Sequence, residues 1–486
     1  MTDIDDFKAA LSGDDIHGRI RAGLIGDNVE FDGPFGRRPL IYADYVASGR
    51  ALSQVEDFIR DRLLPFYANT HTEASFCGEY MSRLREAARA EIARLTGAGP
   101  GTSVIFTGAG STSGINRIVG LLDLAGIVRE GGRAVVLTGP YEHHSNILPW
   151  RETGAEVIEI AEAPEGGVDL KDLARALAAA QGAARIVGAF SAASNVTGIL
   201  SDSDAVTRLL RAHGALAIWD YGCAGPYCLM EMGEGTDAQK DAIVFSAHKF
   251  PGGPGASGVA IIRDELARRR SPTQPGGGTV SFVSPWGHVY SDSIVAREEG
   301  GTPNLTGDIR AALVMLVKEA LGQDWLDARQ QALRARALAT WSDNPRILIL
   351  GNPCAPALPI FSFLIRDAAG QPVHHQFFTR LLSDMTGVQA RGGCACAGPY
   401  GHRLLGLGRA QSDATIAALE RGEETSKPGW VRLNLSALMS DSKADMIINA
   451  VDELARIAPE YLSRYHVESS TARFKASNSL KNLVPS

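Results

Sequence analysis

From Ser103 to about Arg263, short runs rich in Val, Ile and Ala alternate with helical stretches such as Leu170-Lys171-Asp172-Leu173-Ala174-Arg175-Ala176-Leu177. Strands that alternate with helices in this way predict an α/β fold with a mostly parallel sheet covered on both faces. Ligands of such sheets sit outside the carboxyl ends of the strands. Residues at those ends therefore carry the first clues to chemistry.

Three ends stand out. Val104-Ile105-Phe106-Thr107 leads into the turn Gly108-Ala109-Gly110-Ser111-Thr112-Ser113-Gly114 and then the apolar-periodic segment from Ile115 to Leu122. A helix starting there offers free backbone N–H groups and a favourable dipole to an anion, with Gly110, Ser111 and Thr112 as the cradle. The same residues are also ordinary capping chemistry, and they match neither the dinucleotide nor the P-loop pattern. Ala215-Leu216-Ala217-Ile218-Trp219 ends at Asp220, and Ala242-Ile243-Val244-Phe245 ends at Ser246-Ala247-His248-Lys249. A lysine in that place suits a Schiff base to a phosphorylated aldehyde, and a buried aspartate suits a protonated pyridine nitrogen, the pairing of a pyridoxal-phosphate (PLP) enzyme. Taken singly, Lys249 also reads as a surface lysine and Asp220 as a turn former.

Glu142-His143-His144-Ser145-Asn146 follows the strand-like Ala134 to Thr138, so His143 is a candidate to lie flat on a cofactor ring or a satisfied loop histidine. Ser194-Asn195-Val196-Thr197-Gly198 follows Arg185 to Phe190, which makes Asn195 a candidate donor to the ring's phenolic oxygen.

In order, the Gly110 turn, Glu142-His143-His144, Ser194 to Gly198, Asp220 and Ser246-Ala247-His248-Lys249 resemble the class V aminotransferase superfamily of fold-type I PLP enzymes. The subgroup most similar is the cysteine desulfurase and selenocysteine lyase family, over about Tyr42 to Ser436. Tyr42-Ala43-Asp44-Tyr45-Val46-Ala47-Ser48, Tyr67-Ala68-Asn69-Thr70-His71 and Arg297 to Asn304 resemble further segments of that family. The resemblance implies a large domain with a seven-stranded, mostly parallel sheet and a smaller C-terminal α+β domain. It also assigns Ser246 and His248 to the phosphate, and makes Lys249 and His143 catalytic as well as cofactor-binding. It further implies a homodimer, in which Gly276-Gly277-Gly278-Thr279 would bring Thr279 to the partner's phosphate.

Reaction type turns on Arg391-Gly392-Gly393-Cys394-Ala395-Cys396-Ala397-Gly398-Pro399, which resembles the desulfurases' Arg-x-Gly-x-x-Cys-Ala-x-Pro run and makes Cys396 the sulfur-accepting nucleophile. A thiolate near positive neighbours such as Arg391, itself also a candidate substrate-binding residue, is the right nucleophile for that task. Cys394 departs from the usual His-His-Cys order and is similar to the desulfurase domain of molybdenum-cofactor sulfurases; a second thiol there either relays sulfur or is a small apolar filler. Gly429 to Ser436 resembles the strand carrying the carboxylate-binding arginine, here Arg432, whose other reading is an exposed edge-strand charge. Cys223 stands where the family usually has glutamine. A polar insertion near Arg421 to Lys427 lengthens the interval from Cys396 to Arg432.

Composition excludes other classes. A formal net charge of −7 argues against a nucleic-acid surface, and the longest apolar segment, Gly114 to Val128, is interrupted by Arg117 and Asp123. Scattered Cys77, Cys223, Cys228 and Cys354 supply no second pair for a metal site, so none is expected. The acidic start lacks the order of a signal peptide, which predicts a cytoplasmic protein with reduced cysteines. The expected organisation is an N-terminal segment 1–40, a PLP-binding domain 41–310, a linking helix 311–345, a small domain 346–465 and a polar tail 466–486. The favoured function is conversion of L-cysteine to L-alanine with sulfur passed to Cys396 and on to an acceptor protein. Another class V reaction on an amino acid, or a degenerate sulfur-relay or binding protein, is the alternative.

Overall fold

A computed structural model describes residues 3–70, 73–267 and 269–477. His71 of the Tyr67 to His71 motif and the end of the polar tail lie outside the described residues. By contacts the chain forms two compact units, one of residues 1–25, 48–194 and 200–325, the other of 26–47, 195–199 and 326–486.

The first unit is built on a seven-stranded sheet with the order Thr102–Gly108, Gly258–Arg263, Ala242–Ser246, Leu216–Asp220, Arg185–Ser191, Ala134–Thr138, Glu156–Glu159. Only Gly258–Arg263 runs against its neighbours; the other six strands share one direction. Every residue of Ala134–Thr138 and Ala242–Ser246 is buried, which is why these runs read as apolar without alternation. Helix Gly110–Leu122 lays Ile115, Ile118, Leu121 and Leu122 into a core with Val136, Val187, Ile218 and Val244. Asp169 and Asp202 accept backbone N–H bonds at the starts of helices Leu170–Ala179 and Ser203–Ala212, supplying the N-caps that set those boundaries.

The register fixes where chemistry collects. Ser191 pairs with Asp220, Asp220 with Val244, and Gly258 with both Ser246 and Gly108. Gly108, Asp220 and Ser246 therefore end their strands along one edge, the carboxyl edge at which such sheets bind ligands.

The long helical pattern from Asp308 is two helices, Leu305–Leu321 and Gln323–Trp341. Gly322 separates them at φ 79, a backbone conformation that suits glycine as a helix terminator. Residues Ile309 to Val317 of the first helix are all buried, so its apolar character runs around the whole cylinder.

The second unit carries a sheet in the order Ile347–Ile349, Ile360–Arg366, Trp430–Asn434, Arg391–Gly393, with Pro372–Val373 added to Ile360–Arg366. Helices His375–Thr386 and Asp441–Tyr461 pack on it through a core containing Trp341, Phe361, Phe363, Phe377 and Ile447. Residues 195–199 belong here because Leu358 donates to the Gly198 carbonyl at 2.9 Å and Ser362 to that of Val196 at 2.6 Å. Past His466 the polar chain still forms a hairpin, Tyr465–Glu468 with Arg473–Ala476, whose Phe474 ring lies 5.6 Å from that of Phe377.

Candidate active site

In the first unit the polar groups at the sheet edge are interlocked. The Ser111 N–H donates to Ser246 Oγ at 2.9 Å, and the two hydroxyls lie 3.1 Å apart. Gly110 has φ 61, and a Cβ on it would come within 2.7 Å of Ser246 Oγ and 3.0 Å of His248 Cε1. Only glycine lets the helix start approach Ser246 and His248 so closely. Burial, then the charge of Lys249, holds His248 down to about 4, so its ring is neutral at physiological pH.

Asp220 is buried and accepts from the Gly222 N–H at 2.7 Å. Burial raises its carboxyl above the ordinary range, against the bonds from Gly222 and Ser111 and the positive charge of Lys249. A Cβ on Gly222 would meet Ser111 Oγ at 2.6 Å and Asp220 Oδ1 at 2.8 Å. Asp220 and the Ser111 to Ser246 cradle are thus one contiguous cluster, with Lys249 three residues beyond Ser246.

Thr112 Oγ1 lies 2.7 Å from Ser145 Oγ, which lies 3.0 Å from His143 Nδ1. The Ser145 N–H donates to that nitrogen at 3.1 Å, so Nδ1 is an acceptor and leaves Nε2 as the ring's N–H. The hydroxyl of Thr279 is turned onto its own loop, donating to the Gly276 carbonyl at 2.7 Å. Cys223 is buried, with its thiol 3.6 Å from the Ser194 carbonyl.

Two residues without an assigned role in the sequence reading matter here. Glu142 accepts from the Ser191 N–H and hydroxyl, both at 2.7 Å, and from Asn146 Nδ2; burial lifts its carboxyl to about 7 despite these bonds. Glu299, in the Arg297 to Asn304 motif, accepts from Arg85, Arg89 and the Phe106 N–H, bracing the strand that leads into Gly110. That motif supports the cradle from behind. Neither carries a local signal of its role: Glu142 stands between Tyr141 and His143, and Glu299 between Glu298 and Gly300.

The second unit holds the other candidates. Arg432 is buried; its Nη2 donates to Asp44 Oδ1 at 3.0 Å and its Nη1 to the Asn195 carbonyl at 3.0 Å. Arg432 Nε is buried with no hydrogen-bond partner among the described residues. Arg391 Nε donates to Asp44 Oδ2 at 2.9 Å. Asn195 Nδ2 donates to the Ala395 carbonyl at 2.7 Å, which commits that amide to the loop carrying the thiols. Ala395 and Cys396 both sit in the left-handed region, φ 51 and 55, a strained pair for residues other than glycine. Cys396 is exposed and Cys394 half-buried, the latter lining a cavity of about 180 Å³ with Leu405, Ile416, Leu419 and Trp430. Among the described residues no group of three His, Cys, Asp or Glu is placed to hold a metal, and no helix is long and apolar enough to cross a membrane.

The donor set of the first unit fits PLP on structural grounds. It offers a helix N-terminus with converging hydroxyls for a phosphate, a buried carboxylate for a ring nitrogen and a lysine for an aldehyde. Thr107 Oγ1, at the end of the strand entering the cradle, is buried and unpaired among the described residues.

A family model for class-V aminotransferases matches residues 41–410. The chain is similar to a probable cysteine desulfurase of Halalkalibacterium halodurans, 26% identical over 365 residues, 74% of this chain and 85% of that one. With a cysteine desulfurase of Salmonella agona it shares 29% identity over 370 residues, again 74% and 85%. Among solved structures, an apo cysteine desulfurase from Thermococcus onnurineus superposes with a TM-score of 0.69 at 22% identity, covering 86% of this chain and 94% of that one. One from Escherichia coli gives 0.68 at 21%, covering 92% and 99%. These structural likenesses confirm the α/β fold.

Proposed function

The chain belongs to the class-V aminotransferase family, whose enzymes use pyridoxal phosphate, and from this premise we propose a cysteine desulfurase-like enzyme that converts L-cysteine to L-alanine and keeps the sulfur on Cys396 as a persulfide. One observation carries this reading within the family. The guanidinium of Arg432 is joined through Asn195 to Ala395, and so to the loop that presents the exposed Cys396 thiol.

The residues divide the work. Ser111, Thr112, Ser246 and His248, with the N–H groups of the helix beginning at Gly110, hold the phosphate. Asp220 would hold the ring nitrogen protonated, and His143 would stand against the ring. When bound, pyridoxal phosphate supplies a sink for the electrons released as a bond to the substrate's alpha carbon breaks. Lys249 would supply the amine that anchors the aldehyde and the base that takes the alpha-carbon proton at Nζ. Arg432 orients the substrate by its carboxylate. The Cys396 thiolate attacks the substrate sulfur: the carbon–sulfur bond breaks, a sulfur–sulfur bond forms, and L-cysteine plus thiol becomes L-alanine plus persulfide without an outside oxidant.

The same reading makes the enzyme a homodimer. In support, the hairpin of Val280–Ser284 and Gly287–Tyr290 exposes Phe282, Val283, Val289 and, at 92%, Trp286, an apolar surface suited to a second subunit. An acceptor protein would collect the sulfur from the exposed Cys396. A different class V reaction has one observation in its favour, the buried Cys223 where the family's ring-oxygen donor stands.

The test is L-alanine formation from L-cysteine by the holoenzyme and by Cys396→Ser. The proposal expects the variant at background with its cofactor absorbance intact. Undiminished turnover would remove the persulfide step.

A further inference from the structure

Arg391 and Arg432 are direct cross-strand partners in the antiparallel pair of Arg391–Gly393 with Trp430–Asn434. Two guanidiniums in that relation share one face of the sheet and repel. Asp44 lies between them, nearly buried, with Oδ2 on Arg391 Nε at 2.9 Å and Oδ1 on Arg432 Nη2 at 3.0 Å. Two guanidiniums and one carboxylate leave the cluster a single net positive charge. The arginines are also unequal: Arg432 keeps an unpaired buried Nε, while the Nε of Arg391, whose side chain is half exposed, is committed to Asp44.

We propose that Asp44 is a specificity-determining residue: by neutralising Arg391 it leaves one guanidinium, Arg432, to read one carboxylate, so that the site accepts amino acids with an uncharged side chain and rejects dicarboxylic ones. The inference rests on Arg432 as the receiver of the substrate carboxylate. Released from Asp44, Arg391 would present a second planar fork of the kind that binds carboxylates bidentately. Asp44 thus works as a repulsive element, which lowers affinity for the wrong ligand more than it raises affinity for the right one.

The test is calorimetric titration of the holoenzyme with L-alanine and with L-aspartate. Asp44→Asn raises the net charge by one and should tighten L-aspartate by about tenfold while moving L-alanine by less than about threefold. Arg391→Gln lowers the charge by one and should weaken L-alanine by roughly threefold or more. These opposite signs separate the proposal from a scaffolding role, which would weaken binding in both variants. Unchanged or weaker L-aspartate binding in Asp44→Asn overturns the proposal. Should that variant not fold, unchanged L-alanine binding in Arg391→Gln overturns it instead. Arg432→Gln isolates the underlying reading: full L-alanine affinity there would refute Arg432 as the carboxylate receiver, whereas loss there beside an unmoved Asp44→Asn refutes the role of Asp44 alone.

Discussion

Around Gly110, Asp220 and Ser246 the polar groups are packed so closely that an added methyl group at Gly110 or Gly222 has no room. The loop Cys394-Ala395-Cys396 is the reverse: two successive residues are held left-handed, Asn195 donates to the Ala395 carbonyl and the Ala397 N–H to that of Cys394, and its last thiol is exposed. The first region presents donors fixed by backbone and glycine. The second stores strain beside an exposed thiol, which under the proposed function receives sulfur and passes it on. The contrast suits a division between holding a cofactor that stays and carrying a sulfur atom that leaves.

The comparison breaks most visibly at Lys249. Lys249→Ala should abolish the visible absorbance of the bound cofactor and take activity to background, while the thiol loop still reacts with alkylating reagents at the wild-type rate. A retained absorbance band would place the cofactor's attachment elsewhere.

Glu142 comes next, through pH. Its carboxyl rises on folding from the ordinary 4.5 to about 7, so the folded state binds the extra proton and stability is lost as pH climbs through that window. The stability of Glu142→Gln relative to wild type should therefore rise by roughly 3 kcal/mol between those limits, read by urea denaturation at several pH values. A pH-independent difference would mean that Glu142 is ionised throughout.

Gly110→Ala tests the tightness of the first region directly. The new Cβ meets Ser246 and His248 in a left-handed backbone, which should cost about 1–3 kcal/mol of stability and weaken cofactor binding with it. A smaller effect of opposite sign belongs to the second region: Ala395→Gly relieves a left-handed alanine and should stabilise by up to about 1 kcal/mol in thermal melts. Destabilisation there would show that the loop's conformation is not strained.

Much of the first region was legible in the sequence because backbone demands leave residue-level marks. A glycine beside serine and threonine after a strand, an aspartate closing an apolar run and a lysine just past another run all mark the carboxyl edge of a parallel sheet. The second region was legible only in part. Arg432, Cys394 and Cys396 stood out as residue types, yet nothing local in the sequence pairs Asp44 with Arg391 and Arg432, hundreds of positions away, or brings Asn195 to Ala395. Such contacts arise from segments 26–47 and 195–199 joining a unit otherwise made of the last third of the chain. The hairpin after His466 was hidden for a related reason: its mostly polar strands are held by Tyr465 and Phe474, whose rings lie against Phe377, a residue some ninety positions earlier.

Under the proposed function the exposed thiol of the strained loop, Cys396, is where the sulfur goes. Mass spectrometry of peptides from the holoenzyme, after brief incubation with L-cysteine and trapping of free thiols, tests this most directly. One added sulfur atom is expected on Cys396 and none on Cys394 at early times; sulfur appearing first on Cys394, or on neither cysteine while L-alanine accumulates, would rule out Cys396 as the acceptor.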